Sequence, residues 1–175
     1  MINLPNLLSI GRILCVPLFV LLLLNSLYGW ALFTFVAASI TDAIDGLLAR
    51  LLKQKTVLGS YLDPAADKLL NASSYIALAA LNLLPAWLAV IVVGRDVIIC
   101  GGLMILCWTS HPLEIRPSLA SKVTTAFQFL TIIFALWSAY VAPVFFMDIL
   151  IWGTTLGTIV SGLQYIARGV GIFKR

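Results

Sequence analysis

Charge is scarce in this chain. Charged residues make up 10% of its 175 positions, against about 25% in an ordinary soluble domain. Eleven Lys and Arg stand against seven acids, for a formal net charge of +4. So few cations make no broad basic face, which excludes DNA or RNA as a partner. There is one histidine, and the three cysteines (Cys15, Cys100 and Cys107) form no C-x-x-C pair. Neither a zinc site nor a disulfide framework follows from that set. The cysteines lie in apolar stretches and read as small buried hydrophobes. Internal repeats and low-complexity tracts are also missing, so residues 1–175 are expected to form a single domain.

What fills the chain instead is apolar. Hydrophobic residues account for 62% of it and the mean hydropathy is +1.08. A soluble globular domain and a disordered chain are both excluded. In lipid every backbone polar group needs an internal partner, so only helices or closed barrels cross. Continuous apolar runs, rather than alternation, select helices. At about 20 residues per crossing, six spans are expected: 7–25, 29–50, 64–82, 85–108, 121–141 and 144–167. They are separated by Asn25-Ser26, the polar stretch 53–63, Asn82 to Pro85, the stretch 109–120 and Ala142-Pro143. The fold class is therefore all-α, a polytopic membrane protein with an interfacial N-terminal segment, Met1 to Leu8. The first run is not expected to be a cleaved signal. No charged segment precedes it, Arg12 lies inside it, and no A-x-A site follows.

Lys and Arg orient these spans. Arg50, Lys53 and Lys55 lie between spans two and three, Arg116 and Lys122 between four and five, and Arg168, Lys174 and Arg175 after span six. The intervening loops near 25–29, 82–86 and 141–145 have none. The positive-inside rule places both termini and the charged loops in the cytoplasm. Trp30, Trp87 and Trp108 sit near span ends, as in an interfacial belt.

Five of the seven acids fall within spans or at their edges: Asp42, Asp45, Asp63, Asp67 and Asp96. A carboxylate at the centre of a spanning helix costs about 2.5–3.5 kcal/mol on insertion scales, so such residues face a cavity, pair with a cation or carry function. Asp42 and Asp45 are i, i+3 and share a helix face. Asp63 and Asp67 are i, i+4 and do the same. A short loop joins the two spans, so they can be antiparallel neighbours with both pairs at one depth. Four carboxylates at close range repel. Two divalent cations balance them, and an all-oxygen site with room for water suits magnesium or manganese. Each acid also has a structural reading. Asp63 before Pro64 suits a helix N-cap, and Asp67 could pair with Lys68 or Arg50. Gly46 and Gly59 leave space for a ligand or for helix packing. Arg50 can hold a phosphate or snorkel to the interface.

Residues 42–67 spell D-x2-D-G-x2-A-R-x8-G-x3-D-x3-D, with Asp42, Asp45, Gly46, Ala49, Arg50, Gly59, Asp63 and Asp67 at its fixed positions. The pattern resembles the signature of the CDP-alcohol phosphatidyltransferases. The likeness extends over most of the chain, through L-P-N-L-L-S-I-G-R from Leu4, G-R-D-V-I-I from Gly94 and S-K-V-T-T-A-F-Q from Ser121. The resemblance implies two divalent metals, Mg2+ or Mn2+, on Asp42, Asp45, Asp63 and Asp67. It implies Asp67 as catalytic base, and Gly46, Arg50 and Gly59 beside the nucleotide of CDP-diacylglycerol. It further implies release of CMP and a homodimer in the inner (cytoplasmic) membrane, with the active site on the cytoplasmic side.

The acceptor is the open point. The branch similar in size and opening sequence uses sn-glycerol 3-phosphate and forms phosphatidylglycerophosphate, which puts that acceptor first. Its phosphate would need Arg95, Arg116 and Lys122, although Arg95 could instead pair with Asp96. Two cations common in that branch are replaced here by Leu103 and Thr124. The stretch from Arg116 is similar to the branch that uses phosphatidylglycerol and forms cardiolipin, so phosphatidylglycerol is the alternative. A divalent-cation transporter and a non-catalytic scaffold are the competing classes.

Overall fold

The computed structural model describes residues 4–51, 57–108 and 119–173, with side chains described over 11–41, 66–102 and 120–167. Among these residues all regular structure is helical. The elements are α1 (Leu4–Leu24), α2 (Tyr28–Leu51), α3 (Val57–Ala80), α4 (Ala86–Trp108), α5 (Leu119–Tyr140) and α6 (Met147–Phe173). Each expected apolar run coincides with one helix. The first helix begins at Leu4 rather than residue 7, and the third and sixth differ more. The third helix begins at Val57, so Asp63 and Pro64 lie inside α3 and the N-cap reading of Asp63 does not apply. The sixth begins later than expected, after the turn that follows Pro143, and continues to Phe173.

Two of the tight turns share a chemistry. Ser26 and Asn82 adopt left-handed backbones, with φ of 58° and 57°. In each turn the next residue's N–H reaches back to close the helix: Leu27 to the Leu22 carbonyl, and Leu83 to the Leu78 carbonyl, both at 2.9 Å. These are Schellman ends, which satisfy helix carbonyls that would otherwise be left unpaired.

The packing order closes on itself. α1 packs on α2 and α3, α4 joins α3 to α6, and α5 joins α6 to α2, while α3 also meets α5 across the middle. Among the described residues α2 and α3 therefore share no extensive interface. Among these residues α1 and α5 each contact both of them.

The interior is divided by depth. Toward the turns at 25–27 and 81–85 it is apolar, with Phe19, Leu23, Phe35, Leu78, Leu88 and Leu136 almost fully buried. Phe35 anchors this end between Phe19 and Phe129, at ring-centroid distances of 5.9 and 5.5 Å. Toward the other end the buried residues turn polar: Arg12, Asn71, Arg95, Asp96, Gln128 and Ser161. The exterior is the reverse of a soluble protein's. Leu14, Phe33, Val90, Val97, Ile149 and Leu163 are each more than 60% exposed, and a water-soluble surface does not carry apolar area on that scale. Among the described residues, the stretches 120–140 and 147–167 are long and apolar enough to cross a bilayer. Trp30, Trp87, Trp137 and Trp152 are exposed at the apolar end of the bundle, where tryptophans suit a membrane–water boundary.

Candidate active site

Helix register comes first. Asp42, Asp45, Gly46 and Arg50 lie on the unbroken backbone of α2, and Gly59, Asp63 and Asp67 on that of α3. The side chains of Asp42, Asp45, Gly46, Arg50, Gly59 and Asp63 lie outside the described residues, as does the whole of Arg116. Asp67 is described and is half-buried. One turn further along α3, Asn71 continues the same face and is buried, so the face marked by the aspartates runs inward as a polar strip. Among the described residues no three metal-ligating side chains gather, because three of the four motif aspartates are outside that set.

Behind Asp67 lies a cluster that brings four helices together. Lys68 Nζ donates to Asp96 Oδ1 at 2.9 Å, so its partner is on α4 and not its chain neighbour Asp67. Arg95 Nη1 donates to the same oxygen at 2.7 Å. Arg95 Nη2 donates to Ser121 Oγ on α5 at 2.7 Å and to Ser161 Oγ on α6 at 2.9 Å. Arg95 is thus a buried hub that ties α4 to α5 and α6, and the structural alternative for it, pairing with Asp96, is realised. Lys122 is exposed, so of the three acceptor candidates only Arg95 is seen in the cluster. Thr124 is buried, donates to the Ala120 carbonyl at 2.8 Å and fills the space opposite Gly157, where a Cβ would stand 3.0 Å from its hydroxyl. It is a packing residue.

A seam of hydrogen bonds runs inward from this cluster. Asn71 Nδ2 donates to Gln128 Oε1 at 3.1 Å, and Gln128 Nε2 donates to Thr158 Oγ1 at 3.2 Å. Tyr75 donates to the Gln128 carbonyl, and the hydroxyls of Thr131 and Thr154 meet at 2.7 Å. In a low-dielectric interior such groups must be paired. Ser161 and this seam were not singled out from the sequence, while Lys68 enters there as a partner for Asp67 and Ser121 as the first residue of a family-like stretch. The signal was present as polar residues at helical spacing, Thr124, Gln128 and Thr131 on α5 against Thr154, Thr158 and Ser161 on α6.

A groove of about 330 Å³ lies between α1 and α2, lined among others by Gly11, Arg12, Cys15, Ala37, Ala38 and Thr41. On α2 its described lining reaches Thr41, the residue before Asp42. Its walls are mostly small and apolar, with the buried Arg12 as a charged member.

Comparison with known proteins accounts for the register of the aspartates. The sequence profile described as CDP-alcohol phosphatidyltransferase matches residues 2–160. A Bacillus subtilis protein named CDP-diacylglycerol–glycerol-3-phosphate 3-phosphatidyltransferase is 29% identical over 189 aligned positions, covering 96% of this chain and 95% of its own. The CMP-forming cardiolipin synthase of Rattus norvegicus is 32% identical, covering 95% of this chain and 61% of its own. That of Streptomyces coelicolor is also 32% identical, with 89% and 77% covered. With its motif intact along α2 and α3 and a match reaching from the start of α1 into α6, this chain belongs to the CDP-alcohol phosphatidyltransferase family.

Proposed function

We propose that the whole chain is one catalytic unit that transfers the phosphatidyl group of CDP-diacylglycerol to a glycerol-type acceptor bearing a phosphate, with CMP as the other product. The observation that carries this reading is the pairing of aspartates one turn apart on two unbroken helices, at the end of the bundle where the interior becomes polar.

The donor set fits hard divalent cations. Four carboxylates supply only oxygen, which suits Mg2+ or Mn2+. Asp42, Asp45, Asp63 and Asp67 would hold two such ions, and bound there these supply neutralising charge for the diphosphate and an easier leaving group. The chain's own residues do the rest. Gly46 and Gly59 would leave room for the nucleotide, and Arg50 would supply a cation for its phosphates. The acceptor hydroxyl oxygen forms a bond to the lipid-side phosphorus. The bond from that phosphorus to the bridging oxygen breaks, and its electron pair leaves with CMP. The hydroxyl proton passes to a carboxylate oxygen of Asp67. The α1–α2 groove gives an acyl chain of the donor lipid an apolar berth beside Asp42.

The inverted surface supports six membrane spans, with both termini and the site on the cytoplasmic side and the exposed tryptophans on the other. The homodimer implied by the family resemblance belongs to the same reading. The test is direct. Purified chain in lipid nanodiscs with CDP-diacylglycerol, Mg2+ and phosphorylated glycerol acceptors is expected to release CMP in step with a new phospholipid. Absence of CMP with every acceptor overturns the proposal.

A further inference from the structure

The end of the bundle away from the aspartates holds another cavity. About 510 Å³ of space lies where the α1–α2 turn meets the last turn of α5, lined among others by Ser26, Tyr28, Gly29, Trp30, Phe33 and Tyr140. Gly29 lets two of these elements close up. A Cβ there would stand 2.8 Å from Tyr140 Cε2, so the tyrosine ring lies directly on the α2 backbone. Trp30 and Phe33 meet edge to face, with ring centroids 6.3 Å apart and an interplanar angle of 84°. In such a pair the ring that presents its edge keeps both faces free. Trp30, Phe33 and Tyr140 are each more than 60% exposed, so the cavity opens between aromatic rings and is not filled by packing.

The electrostatics of this end favour a cation. Residues 13–41, 69–94 and 123–167 contain one charged side chain, Asp148, which is exposed in the first turn of α6. No lysine or arginine falls in those stretches to repel a positive ligand. α1 ends at Leu24 and α5 at Tyr140, while α2 begins at Tyr28. Two helix C-termini against one N-terminus leave a partial charge of about −0.5 at the cavity. Aromatic faces add to this attraction, tryptophan most of all. An ammonium bearing N–H groups meets both demands, because it rests against ring faces and donates to helix-end carbonyls. The hydroxyls of Ser26, Tyr28 and Tyr140 can donate to a phosphate oxygen beside it. Leu27, also in the lining, is exposed like Phe33, and through them the cavity continues onto the apolar exterior. That continuity suits a headgroup that carries acyl chains.

We propose that this cavity is a lipid-headgroup site, distinct from the motif aspartates, that takes the ammonium of a zwitterionic phospholipid among Tyr28, Trp30, Phe33 and Tyr140. The experiment measures lipid binding to the detergent-solubilised full chain by native mass spectrometry, without CDP-diacylglycerol or metal. The probes are phosphatidylethanolamine, the same lipid with its amine acetylated, and free phosphoethanolamine. Phosphatidylethanolamine is expected to bind at least fivefold more tightly than the acetylated lipid, which keeps the chains and the phosphate but has no cation. Trp30→Leu and Tyr140→Leu are each expected to bring that ratio below twofold, whereas Trp30→Phe, which restores a ring, is expected to hold it above twofold. Equal binding of the two lipids by the unchanged chain overturns the proposal. So does a fivefold ratio that survives Trp30→Leu, at an exposed position outside the core, even where Tyr140→Leu fails to fold. Free phosphoethanolamine binding as tightly as the lipid overturns a lipid as the occupant. A chain that shows the expected preference yet releases no CMP in the transfer assay upholds this site and overturns the transfer reading alone.

Discussion

Lys68 and Asp96 stand 28 residues apart in the chain, yet the lysine ammonium lies 2.9 Å from the aspartate Oδ1. The contact joins α3, which carries Asp67, to α4, which carries the buried Arg95. Replacing Asp96 by Ala leaves two cations facing each other without their shared anion. Breaking a buried pair in this way costs about 3–5 kcal/mol. Asp96→Ala is expected to lower the thermal unfolding midpoint in detergent well below that of Lys68→Gln, which removes a half-exposed charge. Equal midpoints for the two variants would count against a stabilising role for the carboxylate.

The four motif aspartates are expected to act as one unit. Asp67→Asn keeps size and shape but removes the proton acceptor and one anionic oxygen. A loss of about 10²–10⁴-fold in kcat is expected from the missing base alone. Stripping divalent cations with a chelator should abolish CMP release in the unchanged chain, and added Mg2+ or Mn2+ should restore it. Activity that survives chelation would count against the metal reading.

The hydrogen-bond seam offers a paired test. Gln128→Leu leaves the Asn71 amide and the Thr158 hydroxyl without their partner. A destabilisation of about 1–3 kcal/mol is expected from the stranded groups. The double variant Asn71→Leu with Gln128→Leu removes both amides and should recover part of the loss. Additive losses in a double-mutant cycle would show that the two amides do not interact.

Gly157 on α6 lies against Thr124 on α5. A Cβ there would lie 3.0 Å from the threonine hydroxyl and 3.6 Å from its Cα. Gly157→Val is expected to force the helices apart and destabilise the protein by about 1–3 kcal/mol. Adding Thr124→Ala should relieve much of that strain. Thermal unfolding of the single and double variants checks it.

The α1–α2 groove yields a kinetic prediction. Ala37→Trp fills much of its volume without touching the motif. KM for CDP-diacylglycerol should rise about tenfold, with little change in kcat at saturation, while a short-chain CDP-lipid should be less affected. An unchanged KM would place the acyl chains elsewhere.

Some of this protein is written in local patterns. Six apolar runs separated by Asn, Pro and charged stretches announce six helices, because a bilayer forces backbone pairing within each run. Spacings of three and four residues place Asp42 with Asp45 and Asp63 with Asp67, since helical periodicity alone decides which residues share a face. Even so, the start of α3 was misplaced, because a proline was read as marking a first turn and it lies inside the helix instead.

Partners between helices were not legible. Lys68 had Asp67 beside it in the chain, yet it bonds to Asp96, because two helices must first pack before their side chains can choose one another. Ser121 and Ser161 were ordinary polar residues until Arg95 was seen to reach both. The family, the repeated aspartates and the direction of charge were determined by the sequence itself, all of them local or compositional properties. Which cation meets which anion in the cluster behind Asp67 was decided only by tertiary packing, since short-range electrostatics and hydrogen bonds act across space and take no account of position along the chain.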